Sequence, residues 1–110
     1  MAEVFPESVR RLPQADIPLR GLRAWLLQGE NHQVLFMQFE EDAEIAMHTH
    51  ESQWSTVLQG QIDLVVQGVA CTYRQGDNYV VPRGVPHSAM IHAGYADITV
   101  FDEKSRYEVK

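Results

Sequence analysis

From Val34 to Phe101 the chain is a succession of short runs rich in β-branched and aromatic residues, broken by glycine, asparagine and aspartate at intervals typical of an all-β sandwich or barrel. No long helical periodicity competes with this pattern. Leu35, Met37 and Phe39 alternate with Val34, Phe36 and Gln38, and the polar group Glu40, Glu41 and Asp42 ends that strand. The same alternation predicts strands over residues 45–50, 54–59, 62–67, 71–74, 79–81, 87–91 and 97–101. Gly60 and Gln61 are expected to fold the 54–59 strand back onto 62–67 as a hairpin, and Cys71 reads as a small packed hydrophobe. About eight short strands without helices to cover a sheet face imply two packed sheets or one sheet closed on itself.

The chain has 110 residues, enough for one hydrophobic core and too few for two. Residues 1–30 differ in character from the rest. Pro6, Pro13 and Pro18 interrupt any long regular element, while the segment around Trp25 reads as a strand able to extend the sheet. We therefore expect an N-terminal arm and edge strand over 1–30, packed on its own barrel or on a partner's, and a β-barrel over 31–110. Strand addition to a second copy makes a homodimer the expected assembly. The net charge of -6 opposes binding to phosphate backbones, so no nucleic-acid partner is expected. No stretch approaches the ~20 apolar residues of a membrane-spanning helix, and the first residues lack an apolar run of signal-peptide length, which reads as a cytoplasmic protein without a membrane partner. Cys71 is the sole cysteine, so no intrachain disulfide can form.

The chemistry is concentrated in His48, Thr49 and His50 and in the later run from Gly76 to His87. In an extended strand, histidines at i and i+2 face the same way, which makes the first pair a chelate. A third imidazole from a neighbouring strand would complete a facial set of nitrogens and leave positions open for water or substrate. Taken alone, two nearby histidines are more often solvated surface residues; the second segment changes the balance. Histidine-rich, thiolate-free ligation suits a divalent transition ion such as iron, manganese, nickel, cobalt, copper or zinc.

Read together, the two segments resemble the motifs of the cupin superfamily, and the resemblance covers most of the chain from about Glu40 to Phe101. The second motif of that family, glycine, five residues, Pro-x-Gly, two residues and histidine, is matched by Gly76, Pro82, Gly84 and His87. The first motif is matched by His48, His50 and Gly60, and the family's spacing of six residues before the glycine places Gln53 where a glutamate is commoner. The resemblance implies an all-β, double-stranded β-helix (jelly-roll) barrel with a metal centre at His48, His50 and His87. Gln53 stands either as a fourth ligand or as a hydrogen-bonding neighbour. Tyr79, Trp54, Phe101, Met37 and Met90 are candidates to line the pocket, and His92, Asp97, Asp102 and Arg106 are candidate polar groups beside it. His92 is expected on the opposite face from His87, and His32 at a solvated turn.

In size and ligand set the chain looks like the cupins that linearise unsaturated uronates. The acidic residue those proteins carry two positions before a phenylalanine is Thr99 here, and Asp97 or Asp102 would replace it only with a change of register. The resemblance implies a small-molecule substrate, anionic and carbohydrate-derived or an oxo-acid, undergoing isomerisation, tautomerisation or lyase-type proton transfer. Two alternatives stay open: a metal-dependent dioxygenase, and a non-catalytic module that binds or senses a small ligand.

Overall fold

The computed structural model describes residues 3–110. A single helical turn, α1 (Glu7–Arg10), precedes nine strands: β1 (Leu22–Gln28), β2 (Gln33–Phe39), β3 (Ala43–His48), β4 (Gln53–Gln59), β5 (Gln61–Val66), β6 (Val69–Arg74), β7 (Asn78–Val81), β8 (His87–Ile91) and β9 (Ala96–Phe101). They form two antiparallel sheets, ordered β1-β2-β9-β4-β7 and β3-β8-β5-β6. The chain is a jelly-roll barrel, as the resemblance of its motifs to the cupins implied. Leu26, Leu35, Met37, Phe39, Val57, Ile62, Leu64, Tyr79, Ile91 and Phe101 fill the space between the sheets. Alternation explains the membership: Leu35, Met37 and Phe39 share one face of β2, while Ile62 and Leu64 share one face of β5.

Several local expectations need correction. β4 and β5 do not form a hairpin: β4 pairs with β7 and β9, whereas β5 pairs with β6 and β8. The turn at Gly60 carries the chain from one sheet to the other, and turn residues alone do not distinguish a hairpin from such a corner. Cys71 is exposed, because β6 is an edge strand. The strand expected over 45–50 ends at His48, which leaves His50 in the crossover from β3 to β4.

The N-terminal segment packs on its own barrel. Gln14 bridges to Trp25 and Ala15 to Val109, and the Phe5 ring meets Trp25 and Phe36 edge-on at 5.9 and 5.6 Å. This covers one end of the outer face of the five-stranded sheet. Beyond it, cross-strand pairing builds a row of Leu27, Val34, Val100, Trp54 and Val80, with one apolar residue from each strand. Leu27, Trp54 and Val80 are 48%, 42% and 59% exposed.

Gly60 fixes the corner between the sheets. Its φ is +76°, and a Cβ there would lie 2.6 Å from the Tyr95 Cα and 2.8 Å from the Gly94 carbonyl oxygen, both backbone atoms that cannot swing aside. Gly68 has a similar φ of +78° with nothing within 4 Å. Gly68→Ala should therefore cost only the left-handed backbone penalty of about 1–2 kcal/mol. Gly60→Ala should cost clearly more in chemical denaturation, by about 2 kcal/mol or above; equal losses would show that the corner tolerates a side chain.

Candidate metal centre

β3 and β8 bring the first two histidines together, since His48 and His87 are direct cross-strand partners. A regular strand would point Ile45 and His48 to opposite faces, yet both line the same cavity. The register irregularity between these two residues re-aims His48 inward. His50 arrives differently from the chelate expected of one extended strand, because it lies past the end of β3. Its backbone carbonyl accepts the Gly84 N–H at 2.9 Å, which ties the crossover to the turn that delivers His87. Gly84 has φ +71°, a conformation that a residue with a Cβ resists. The two sequence motifs are thus held together by a backbone hydrogen bond.

The rings of His48, His50 and His87 have centroids 4.2–5.1 Å apart, and one nitrogen from each falls within 4.8 Å of the others. Their tautomers follow from hydrogen bonding. The Nδ1 atoms of His48, His50 and His87 lie 2.8, 2.6 and 2.9 Å from the carbonyls of Ala46, Glu51 and Val85. A carbonyl only accepts, so each Nδ1 carries the proton and each neutral ring presents a bare Nε2. The Nε2 atoms of His50 and His87 are 2.9 Å apart. Two lone pairs at that distance repel unless a cation or proton sits between them. Two nitrogens ~2.1 Å from one ion at right angles would stand ~3.0 Å apart, so the imidazoles fit a metal ion. A protonated cluster is disfavoured: burial, and then the Arg106 cation and the neighbouring imidazoles, push His50 down to about 4 despite its hydrogen bond to Glu51. Burial likewise lowers His87, aided by His48 and Arg106.

The cavity beside the histidines has a volume of about 90 Å³ and is walled largely by apolar side chains. Gln53, Met37, Tyr79 and Phe101 line it as expected, and the Phe101 ring lies edge-on to His50 at 5.3 Å. Trp54 and Met90 do not. They are 42% and 41% exposed because each neighbours an inward-facing residue, Gln53 in one case and Ala89 and Ile91 in the other. His92 pairs with Asp63 at 2.6 Å and His32 with Asp102 at 3.2 Å, both away from the cavity, while Glu51 pairs with Arg83 at 3.1 Å.

Asp97 is fully buried and lines the cavity without any change of register, because an offset of two from Thr99 keeps the same face of β9. Burial pushes its carboxyl up to about 7 against the hydrogen bonds of Tyr95 and Thr99. Its Oδ2 accepts the Tyr95 hydroxyl at 2.5 Å, whereas Oδ1 closes no hydrogen bond. Arg106 also lines the cavity, its guanidinium 5.5 Å from the Phe101 ring centroid and 4.8 Å from that of Tyr107, with a buried Nε lacking a partner. The residue that secures this last segment is Gln33, absent from the sequence-based candidates. Its amide donates to the Tyr107 carbonyl and accepts the Tyr107 N–H, each at 2.9 Å. A glutamine at the start of β2, in phase with Leu35, Met37 and Phe39, was the available signal.

Comparison with known proteins agrees with the fold. The structure of an RmlC-like cupin from Shewanella frigidimarina superposes with a TM-score of 0.75 at 27% identity, covering 96% of this chain and 94% of that one. KdgF from Halomonas sp. gives 0.70 at 18% identity, over 83% and 87% of the two chains. Bacillus subtilis oxalate decarboxylase, in a study of its Mn(II) centres, gives 0.71 at 23% identity over 84% of this chain, which spans only 28% of that protein. No curated protein matches. Among the described residues no helix is long and apolar enough to cross a membrane. The family model described as "Cupin domain" matches residues 35–104, and the chain belongs to that family.

Proposed function

We propose that this cupin is a metal-dependent enzyme acting on a small anionic substrate, carbohydrate-derived or an oxo-acid, by isomerisation, tautomerisation or lyase-type proton transfer. The observation that carries the proposal is the convergence of three bare Nε2 atoms, each ring locked by a backbone carbonyl. His48, His50 and His87 would hold the ion, with Gln53 as the fourth side chain. A divalent ion there supplies a Lewis acid that polarises a substrate oxygen. Neutral ligands leave the ion's charge uncompensated, which favours an anionic substrate. Arg106 favours the same choice, since its guanidinium lines the cavity and its Nε lacks a partner that a carboxylate could supply. The apolar walls keep competing water from the polarised oxygen.

The test begins with elemental analysis of untagged protein. Near-stoichiometric divalent metal that disappears in His48→Ala and His87→Ala is expected, and unchanged metal in either variant would overturn the centre. Metal-replete protein would then be screened by NMR against uronates, keto-acids and phenolic diols. Turnover of a carboxylate, with Arg106→Gln weakening its binding about tenfold or more, is the expected result. Turnover only in oxygen would favour the dioxygenase reading, and a ligand bound but recovered unchanged would favour a binding module.

The assembly we favour is a homodimer formed through the row of Leu27, Val34, Val100, Trp54 and Val80. The row carries no charge, so two copies can meet there without burying one, despite the net charge of -6 on each chain. Light scattering should report a dimer that Val80→Lys converts to a monomer. A monomeric wild type, or a dimer that survives the substitution, would contradict this.

A further inference from the structure

We propose that Asp97 is the specificity-determining residue at the far end of the cavity. It accepts the terminal hydroxyl of a chain-like hydroxy acid whose carboxylate lies at Arg106, and it turns away acids that carry a carboxylate at both ends. The proposal rests on the anionic-substrate reading above and adds what the other end of that substrate is.

Strand β9 sets the two ends apart. Asp97, Thr99 and Phe101 alternate along its inward face, and all three are buried. Phe101 marks the metal end, because its ring lies 5.3 Å from that of His50 and 5.5 Å from the Arg106 guanidinium carbon. The Arg106 charge is felt there by His50 and His87. Asp97 stands four residues back on the same face, about 13 Å along the strand at ~3.3 Å per residue. Asp97 and Arg106 nevertheless border one cavity. A ligand that touches both therefore extends along the strand, which a two-carbon acid does not.

The chemistry of the far end follows from the hydrogen bonds Asp97 already makes. Its Oδ2 accepts the hydroxyl of the wholly buried Tyr95 at 2.5 Å. Its Oδ1 is buried without a donor, just as the Arg106 Nε is buried without an acceptor, so the two groups do not serve each other. An ionised carboxylate only accepts, and the ligand group that meets Oδ1 must bring a hydrogen. On a carbohydrate-derived acid that group is a hydroxyl. A second carboxylate in its place would set oxygens without hydrogens against a buried like charge, an arrangement that rejects a ligand more strongly than a missing contact does.

The experiment is calorimetry on the Mn(II)-loaded protein at pH 8, above the value of about 7 to which burial pushes Asp97. The probes are gluconate and glucarate. They share a carbon chain, its internal hydroxyls and one carboxylate, and differ only in whether the far carbon is a hydroxymethyl group or a second carboxylate. Gluconate should bind about tenfold tighter or more. Asp97→Asn keeps the shape and lets an amide N–H face the cavity, so the preference should fall to about twofold or reverse. Equal affinities in the wild type, or an unchanged preference in folded Asp97→Asn, would overturn the inference alone. If the variant does not fold, a crystal structure of the wild type with gluconate decides: the terminal hydroxyl within hydrogen-bonding distance of Asp97 Oδ1 is expected, and its placement elsewhere overturns the proposal. Protein that binds neither probe while taking another carboxylate overturns it too. Metal-loaded protein that takes no carboxylate at all would instead overturn the anionic-substrate reading beneath it.

Discussion

Three hydrogen bonds from imidazole Nδ1 atoms to the carbonyls of Ala46, Glu51 and Val85 decide what this barrel can do. Each bond is local, from a histidine to a residue one or two positions away, so the tautomer is set by the chain segment that carries the ring. The consequence is not local. Three uncompensated lone pairs face one another in the cavity, where burial also opposes protonation of His50 and His87. Such an arrangement is stable in isolation only because the surrounding fold holds it, and a cation relieves it. The jelly roll supplies the holding force through the pairing of β3 with β8 and the Gly84 to His50 backbone bond.

Around this centre the barrel divides its interior by polarity. Toward β5 and β8 the walls are aliphatic, with Ile62, Leu64, Ala89 and Ile91. Across from them the inward faces of β4, β7 and β9 carry hydroxyls, an amide and a carboxyl that satisfy one another. A buried polar network is tolerated when its members find partners. Here one carboxylate oxygen and the Arg106 Nε do not, and both belong to residues lining the cavity.

Much of this was legible in the sequence because it depends on period and spacing. The alternation in β2 put Leu35, Met37 and Phe39 on one face, and the motif of Gly76, Pro82, Gly84 and His87 marked His87 for the metal centre. What was hidden depends on pairing between distant segments. Gly60 looked like a hairpin turn because a corner and a hairpin need the same positive φ, and only the contact with Tyr95 distinguishes them. Cys71 looked buried because its neighbours are apolar, whereas exposure was set by β6 falling at a sheet edge. Trp54 and Met90 sit one residue from inward positions, so an error of one in phase placed them on the wrong face. His48 faces the cavity through a register irregularity that no periodic pattern can announce. Gln33 gains its role only when the last residues fold back over β2.

The central claim is that three imidazoles from β3, the following crossover and β8 bind one ion through Nε2. X-ray absorption at the metal edge of the manganese-loaded protein tests it most directly, since imidazole rings add a distinctive outer-shell scattering pattern that oxygen ligands lack. A spectrum fitted by three imidazoles with the remaining shell made of oxygen is the predicted result. A shell of oxygen without imidazole scattering, or with a single ring, would contradict it.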